Sequence, residues 1–262
     1  ISTVDLNKSE EMNKAEVELG RNMAGRLLQF YGTYGDEELI GYVNQVGNYV
    51  AGYSNYPDRR YMFAILDTDE INAFACPGGY ILITLGTIVN AESEAELAMI
   101  LGHEITHVGK QHMFKTILSM SDKDREKAAK DVEKGHKQDE GAIMRQRPAA
   151  EESSTGNLLA RYLSGSAAAS LSILQAAKAG MSVILDKGLD KKLEFEADYL
   201  GAKDAIKAGY DPQAMKSFFL RLQKQKADKH FDMGTLDKTH PKISDRIAQI
   251  EKLLAEMKAS EI

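Results

Sequence analysis

The stretch Leu97 to Met113, LAMILGHEITHVGKQHM, constrains this chain more than any other, because as a helix it must carry two unlike faces. Residues four apart on a helix lie about 40° apart around its axis, so His103 and His107 project together and can grip one metal ion. Two imidazoles suit zinc. Glu104 sits about 100° round from His103, too far to be an equivalent ligand but placed to reach a water on the metal, which makes it a candidate general base. Leu97, Leu101, Ile105 and Val108 form an apolar stripe beside the histidines, so one side packs while the other faces a cleft. The H-E-x-x-H pattern is short enough to arise by chance, and it needs a third ligand from elsewhere.

That ligand is a carboxylate rather than a thiolate, since Cys76 is the only cysteine and excludes both a disulfide framework and a multi-cysteine zinc site. The best candidate is Glu194, in LEFEADYLG. On a helix Glu194, Ala197, Asp198 and Gly201 share one face, two carboxylates bordered by two small residues, so another helix can approach closely. Asp198 is then placed to accept the free ring N–H of a ligating histidine. Glu196 points away and reads as a solvated or salt-bridged side chain. By itself this segment would be an ordinary acidic helix face; coupled to H-E-x-x-H it becomes a site.

The remaining histidines divide by setting. His112, five residues past His107 and so about 140° round the same helix, reads as a hydrogen-bonded packing residue. His136 and His230 lie in charged surroundings and read as surface residues. His240, stiffened by Pro241 at a helix start, either reaches the metal or the oxyanion of a reaction, or is a structural cap.

Taken in order, the apolar spacing from Val4 to about Tyr31 predicts an irregular start and then an amphipathic helix. A second helix runs from a cap at Asp36 through Leu39, Val43, Val46 and Val50 to Gly52. Short strands follow at Tyr61 to Leu66, Ile71 to Cys76 and Tyr80 to Gly86, separated by Asp67 to Glu70 and by Pro77-Gly78-Gly79, a spacing that predicts a meander. Helix returns at Glu92 and carries the histidines. Ser121 to Asn157 is charged and poor in aromatics, predicting an exposed helix and then a mobile loop around Pro148 to Gly156. Leu158 to Leu185 is rich in Ala, Ser and Leu, but Arg161, Gln175 and Lys178 interrupt it short of the roughly 20 residues a membrane span needs, so a buried helix is expected. Further helices are expected from Asp190 to Ala208, from Asp211-Pro212 to Ala227, and after Thr239-His240-Pro241, where Ile243, Ile247, Ile250, Leu253 and Leu254 form an apolar side. The sum is a mainly helical α+β fold with one small sheet, read as a single domain over residues 1–262 with a charged insert at about 121–157. A net charge of −6 offers no basic field, so nucleic acid is excluded as a partner. The start at Ile1 rather than Met predicts a processed product, and leaves open membrane association through a segment ahead of it.

Four segments, NAFACPGGYILITLG, ELAMILGHEITHVGKQH, LEFEADYLGAKDAIKAGYDP and THPKISDRI, together resemble the family-48 metallopeptidases, the zinc endopeptidases that include the CAAX prenyl proteases, HtpX-type membrane proteases and soluble bacterial envelope proteases. The likeness covers roughly Tyr61 to Met113 and Leu189 to Ile250, and not the insert. It implies a zincin-like fold in which the edge strand of a small antiparallel or mixed sheet borders the zinc helix. It also implies a gluzincin with one catalytic Zn2+ on His103, His107 and Glu194, Glu104 as base and Asp198 orienting a ligand. Asn72-Ala73-Phe74 resembles the edge strand of thermolysin-like enzymes, which binds a substrate backbone by strand addition. The resemblance further implies His240 near the metal, as a fourth ligand that plugs the water site, with Arg246 as a supporting charge. The expected function is endoproteolysis of unfolded or misfolded proteins in cell-envelope quality control, in the bacterial periplasm or at the outer-membrane periphery. The alternatives are a latent, chaperone-like zinc module that binds unfolded chains with little turnover, and a metal-free helical interaction protein.

Overall fold

The computed structural model describes residues 3–121, 124, 127, 130, 173–227 and 236–260. Most of the charged insert, the loop expected around Pro148, His136 and His230 lie outside the described residues.

Helix α1 (Thr3–Tyr31) is continuous, without the irregular start expected of it, and buries Leu19, Met23 and Leu27. Helix α2 (Glu37–Gly52) begins where expected, with the Asp36 carboxylate accepting the Leu39 N–H at 3.0 Å. Three strands follow, β1 (Met62–Leu66), β2 (Ala73–Cys76) and β3 (Tyr80–Thr84), in the order β1-β3-β2. β3 runs parallel to β1 and antiparallel to β2, so the sheet is mixed and not the meander its spacing suggested. The two links explain the difference. Pro77–Gly79, with Gly78 and Gly79 at φ 73° and 101°, folds β3 directly back along β2. The link from β1 instead crosses the end of β3, held by hydrogen bonds from Gly86 N–H to the Thr68 carbonyl (2.9 Å) and from Thr84 N–H to the Asn72 carbonyl (3.1 Å). β1 and β2 therefore lie on opposite flanks, and β2 is an edge strand.

Side chains alternate across this sheet as a period of two requires. Phe63, Ile65, Ala73, Ala75, Ile81 and Ile83 face one core, and Leu66, Phe74, Cys76 and Leu82 face a second, built with α1. A short helix α3 (Leu85–Asn90) stands where a strand end was expected, because the Thr84 hydroxyl caps it by accepting the Thr87 N–H.

Helix α4 (Glu94–Gly109) carries the histidines. Ser93 accepts the Glu96 N–H at 3.2 Å while the Glu96 carboxylate reaches back to the Glu92 N–H at 2.8 Å, a reciprocal cap that sets the helix start two residues later than the acidic run implied. The helix also stops sooner than expected. Gln111 adopts a left-handed backbone (φ 60°), its side-chain amide donates to the buried Glu16 carboxylate of α1, and a new helix α5 (His112–Ser119) starts at once. His112 is thus not on the motif helix at all.

Beyond the undescribed stretch, α6 (Ile173–Ser182) lies within the expected buried helix, and the chain continues through α7 (Lys191–Lys207), α8 (Ala214–Ala227), α9 (Leu236–Thr239) and α10 (Ile243–Ser260). α4 and α7 cross in backbone contact. A Cβ built on Gly102 would lie 2.5 Å from the Gly201 carbonyl oxygen, and one on Gly201 would lie 2.4 Å from the Gly102 carbonyl carbon. The close approach expected from the small face of α7 is what occurs. Gly201→Val is therefore expected to push the two helices apart at a cost of about 3 kcal/mol, read as a lower denaturation midpoint in urea; an unchanged midpoint would show that the crossing has slack.

Candidate metal centre

Two facing helices bring the donors together. From α4, His103 and His107 turn their Nε2 atoms toward each other, 3.0 Å apart. From α7, Glu194 places Oε2 3.6 Å from His103 Nε2 and Oε1 3.5 Å from His107 Nε2. One donor atom from each of the three lies within 4.8 Å of the others, and all three residues are buried. Glu194 Oε2 accepts no hydrogen bond although it is shielded from water, an arrangement that is costly unless a cation completes it. Two inward imidazoles and an orphaned carboxylate oxygen fit a small divalent ion of the zinc type.

Glu104 lies beside this set, with Oε1 3.9 Å from His103 Nε2. Burial pushes its carboxyl up to about 7, against the pull of neighbouring His103. His103 Nδ1, on the outer side of its ring, meets Asp198 Oδ1 at 2.8 Å. Burial alone would lower the His103 pKa, but its contacts with Asp198 and Glu194 prevail and raise it to about 9 in the metal-free protein. Arg246, from α10, forks onto Asp198 through Nη2–Oδ1 (2.6 Å) and Nε–Oδ2 (2.9 Å), and its guanidinium stacks 4.4 Å over the ring of Phe219. Asp198, which burial would push up, is held down at about 2 by Arg246 and His103. Arg246 thus supports Asp198 directly and lies beside His103, with Nη2 3.3 Å from its Nδ1.

His240 Nε2 sits 3.5 Å from Glu194 Oε2, with its ring centroid 5.8 Å from that of His103. Burial lowers its pKa to about 4, so it is neutral. Burial would raise the Glu194 carboxyl, but the imidazoles of His240, His107 and His103 hold it well below the usual carboxylate range. Asn72 and Ala73 line the same cleft as Glu104 and His240, together with Ile71, Ile100 and Phe218.

Two residues near the centre were not expected there. His112 Nδ1 lies 2.9 Å from His107 Nδ1, and His112 Nε2 lies 3.1 Å from a Glu196 carboxylate oxygen. The other oxygen of Glu196 pairs with Lys110 at 2.7 Å, so it is salt-bridged, as its sequence position allowed. His112 was misplaced because the helical-wheel reading ran straight past Gly109, where α4 ends, and the left-handed residue that turns the chain is Gln111.

A family model for peptidase family M48 matches residues 38–254. Over 214 residues the chain is 30% identical to a putative beta-barrel assembly-enhancing protease of Vibrio cholerae, covering 81% of this chain and 38% of that protein. It is 28% identical over 192 residues to the beta-barrel assembly-enhancing protease of Escherichia coli K12, covering 72% of this chain and 34% of that one. The mitochondrial metalloendopeptidase OMA1 of Arabidopsis thaliana is 26% identical over 197 residues, which make up 75% of this chain and 31% of that protein. The chain spans little more than a third of the length of its bacterial relatives.

Asp198→Asn is expected to cost about 3–5 kcal/mol by leaving the Arg246 charge buried and unpaired. It should separately weaken metal binding about 10- to 100-fold by loosening His103. Urea denaturation of the metal-free protein measures the first effect and competition with a chromophoric chelator the second; full retention of both would show that Asp198 supports neither.

Proposed function

The chain belongs to peptidase family M48, and from that membership we propose that it is a zinc-dependent endopeptidase cleaving unfolded or misfolded proteins in cell-envelope quality control. The observation that carries this reading is the convergence of His103, His107 and Glu194 on an orphaned carboxylate oxygen, with Glu104 alongside. The bacterial relatives, named for enhancing beta-barrel assembly, support a place in the periplasm or at the outer-membrane periphery. Among the described residues no helix is long and apolar enough to cross a membrane.

His103, His107 and Glu194 would hold the ion. Bound zinc supplies Lewis-acid polarisation of the scissile carbonyl and acidifies a water. Glu104 takes the proton of the attacking water and returns it to the leaving amine. Substrate backbone adds to β2, the outer strand of the sheet among the described residues. Ala73 N–H is bonded at 2.9 Å to the side-chain oxygen of Asn72, and the Asn72 carbonyl is taken by Thr84 and Thr87. An incoming strand therefore replaces the Asn72 amide oxygen at Ala73. Neutral His240 retains a ring N–H with which to steady the oxyanion.

A second reading draws on the position of His240. Its 3.5 Å approach to Glu194 and the burial of the donors also suit a plug, which would make the protein a latent zinc module that binds unfolded chains with little turnover.

With zinc-loaded protein and casein, fragments followed by mass spectrometry separate the two. Glu104→Gln is expected to keep its zinc and lose cleavage by about 10²- to 10⁴-fold. Chelation should abolish cleavage by the parent, and added zinc should restore it. On the endopeptidase reading His240→Ala lowers kcat about 10²-fold, whereas a gain in rate would identify the plug.

A further inference from the structure

The chain His107–His112–Glu196–Lys110 has no part in the chemistry above, yet it starts on a metal donor and ends at the surface. His112 is 4% exposed, while the Glu196 and Lys110 side chains are 37% and 30% exposed. Its hydrogen bonds can be oriented from the outside inward. An ionised Glu196 only accepts, so at 3.1 Å the His112 Nε2 carries the proton. Lys110 holds the other Glu196 oxygen at 2.7 Å, and in the Nε2–H tautomer His112 keeps a lone pair on Nδ1. That lone pair faces His107 Nδ1 at 2.9 Å, so His107 donates from Nδ1. The only lone pair left on His107 is at Nε2, the atom turned toward His103 and Glu194.

We infer that His112 and Glu196 are positioning residues that lock His107 in the tautomer and ring orientation needed to bind the metal. They do for His107 what Asp198 and Arg246 do for His103. The inference rests on the reading of His107 as a metal ligand given above. The local fold supplies the geometry: if α4 ran on as one helix, His112 would be carried about 140° away from His107. The left-handed Gln111, held by Glu16 of α1, turns the chain so that His112 comes back behind the ring.

The test is zinc affinity by chelator competition, together with 15N NMR of the histidine rings, on the full chain. His112→Ala is expected to weaken zinc binding about 10- to 100-fold. Glu196→Ala should weaken it in the same direction but less, and Glu196→Gln, whose amide oxygen still accepts from His112 Nε2, should recover most of the loss. The spectra should show His107 protonated at Nδ1 and His112 at Nε2. Zinc affinities of both alanine variants equal to the parent's, or a His107 proton on Nε2, would overturn the inference. If His112→Ala does not fold, Glu196→Ala, at a half-exposed position, carries the test. A parent that takes up no zinc would remove the ligand assignment alone, because the ring spectra of the metal-free protein still decide the tautomers.

Discussion

Backbone contact between Gly102 and Gly201 sets the separation of α4 and α7, and the candidate centre depends on that separation. Packed helices commonly lie 8–10 Å apart, the spacing being set by the side chains between them. Where both residues at the crossing lack a side chain, the helices come closer. His103 directly follows Gly102, and Asp198 lies one turn before Gly201 on the same helix, so both face the partner helix within a turn of the crossing. Imidazole and carboxylate arms have fixed lengths. The distances of 3.5 and 3.6 Å between Glu194 and the two histidines follow from a crossing this tight.

The charges around the centre are arranged for position rather than for stability. Burying Asp198 and Arg246 removes two ions from water, a cost that their mutual attraction roughly offsets. What the pair supplies is a fixed carboxylate: gripped from one side by a planar fork and braced over Phe219, Asp198 can meet His103 Nδ1 in only one direction. Four elements contribute, His103 from α4, Asp198 from α7, Phe219 from α8 and Arg246 from α10. The centre is therefore a property of the assembled helices and not of the H-E-x-x-H segment alone.

What was legible in the sequence follows the range of the interactions involved. The histidine pair, the Asp36 cap and the small face of α7 are set by spacing within one helix, and a periodic reading finds them. Glu194 and Asp198 were legible as one face because their four-residue interval puts both carboxylates on the same side of α7, and the structure sets that side against His103 and His107. The sheet order was not, since nothing in Asp67 to Asn72 shows that the link crosses β3; that depends on hydrogen bonds to Gly86 and Thr84. The helix break at Gln111 was equally hidden, because glutamine seldom takes a left-handed backbone and does so here beside a buried glutamate far away in the sequence. The placement of His112 was lost with it.

The donors on α4 and the donor on α7 stand on either side of a long run of chain, so an ion held by both helices is also a cross-link. A scattered, unfolded chain cannot present the same three donors at once, and the free energy of binding the ion is added to that of folding. Metal supply then sets more than the rate of chemistry. If the three hold a metal ion, the polypeptide without it would be a less stable molecule that opens more often and is more readily degraded.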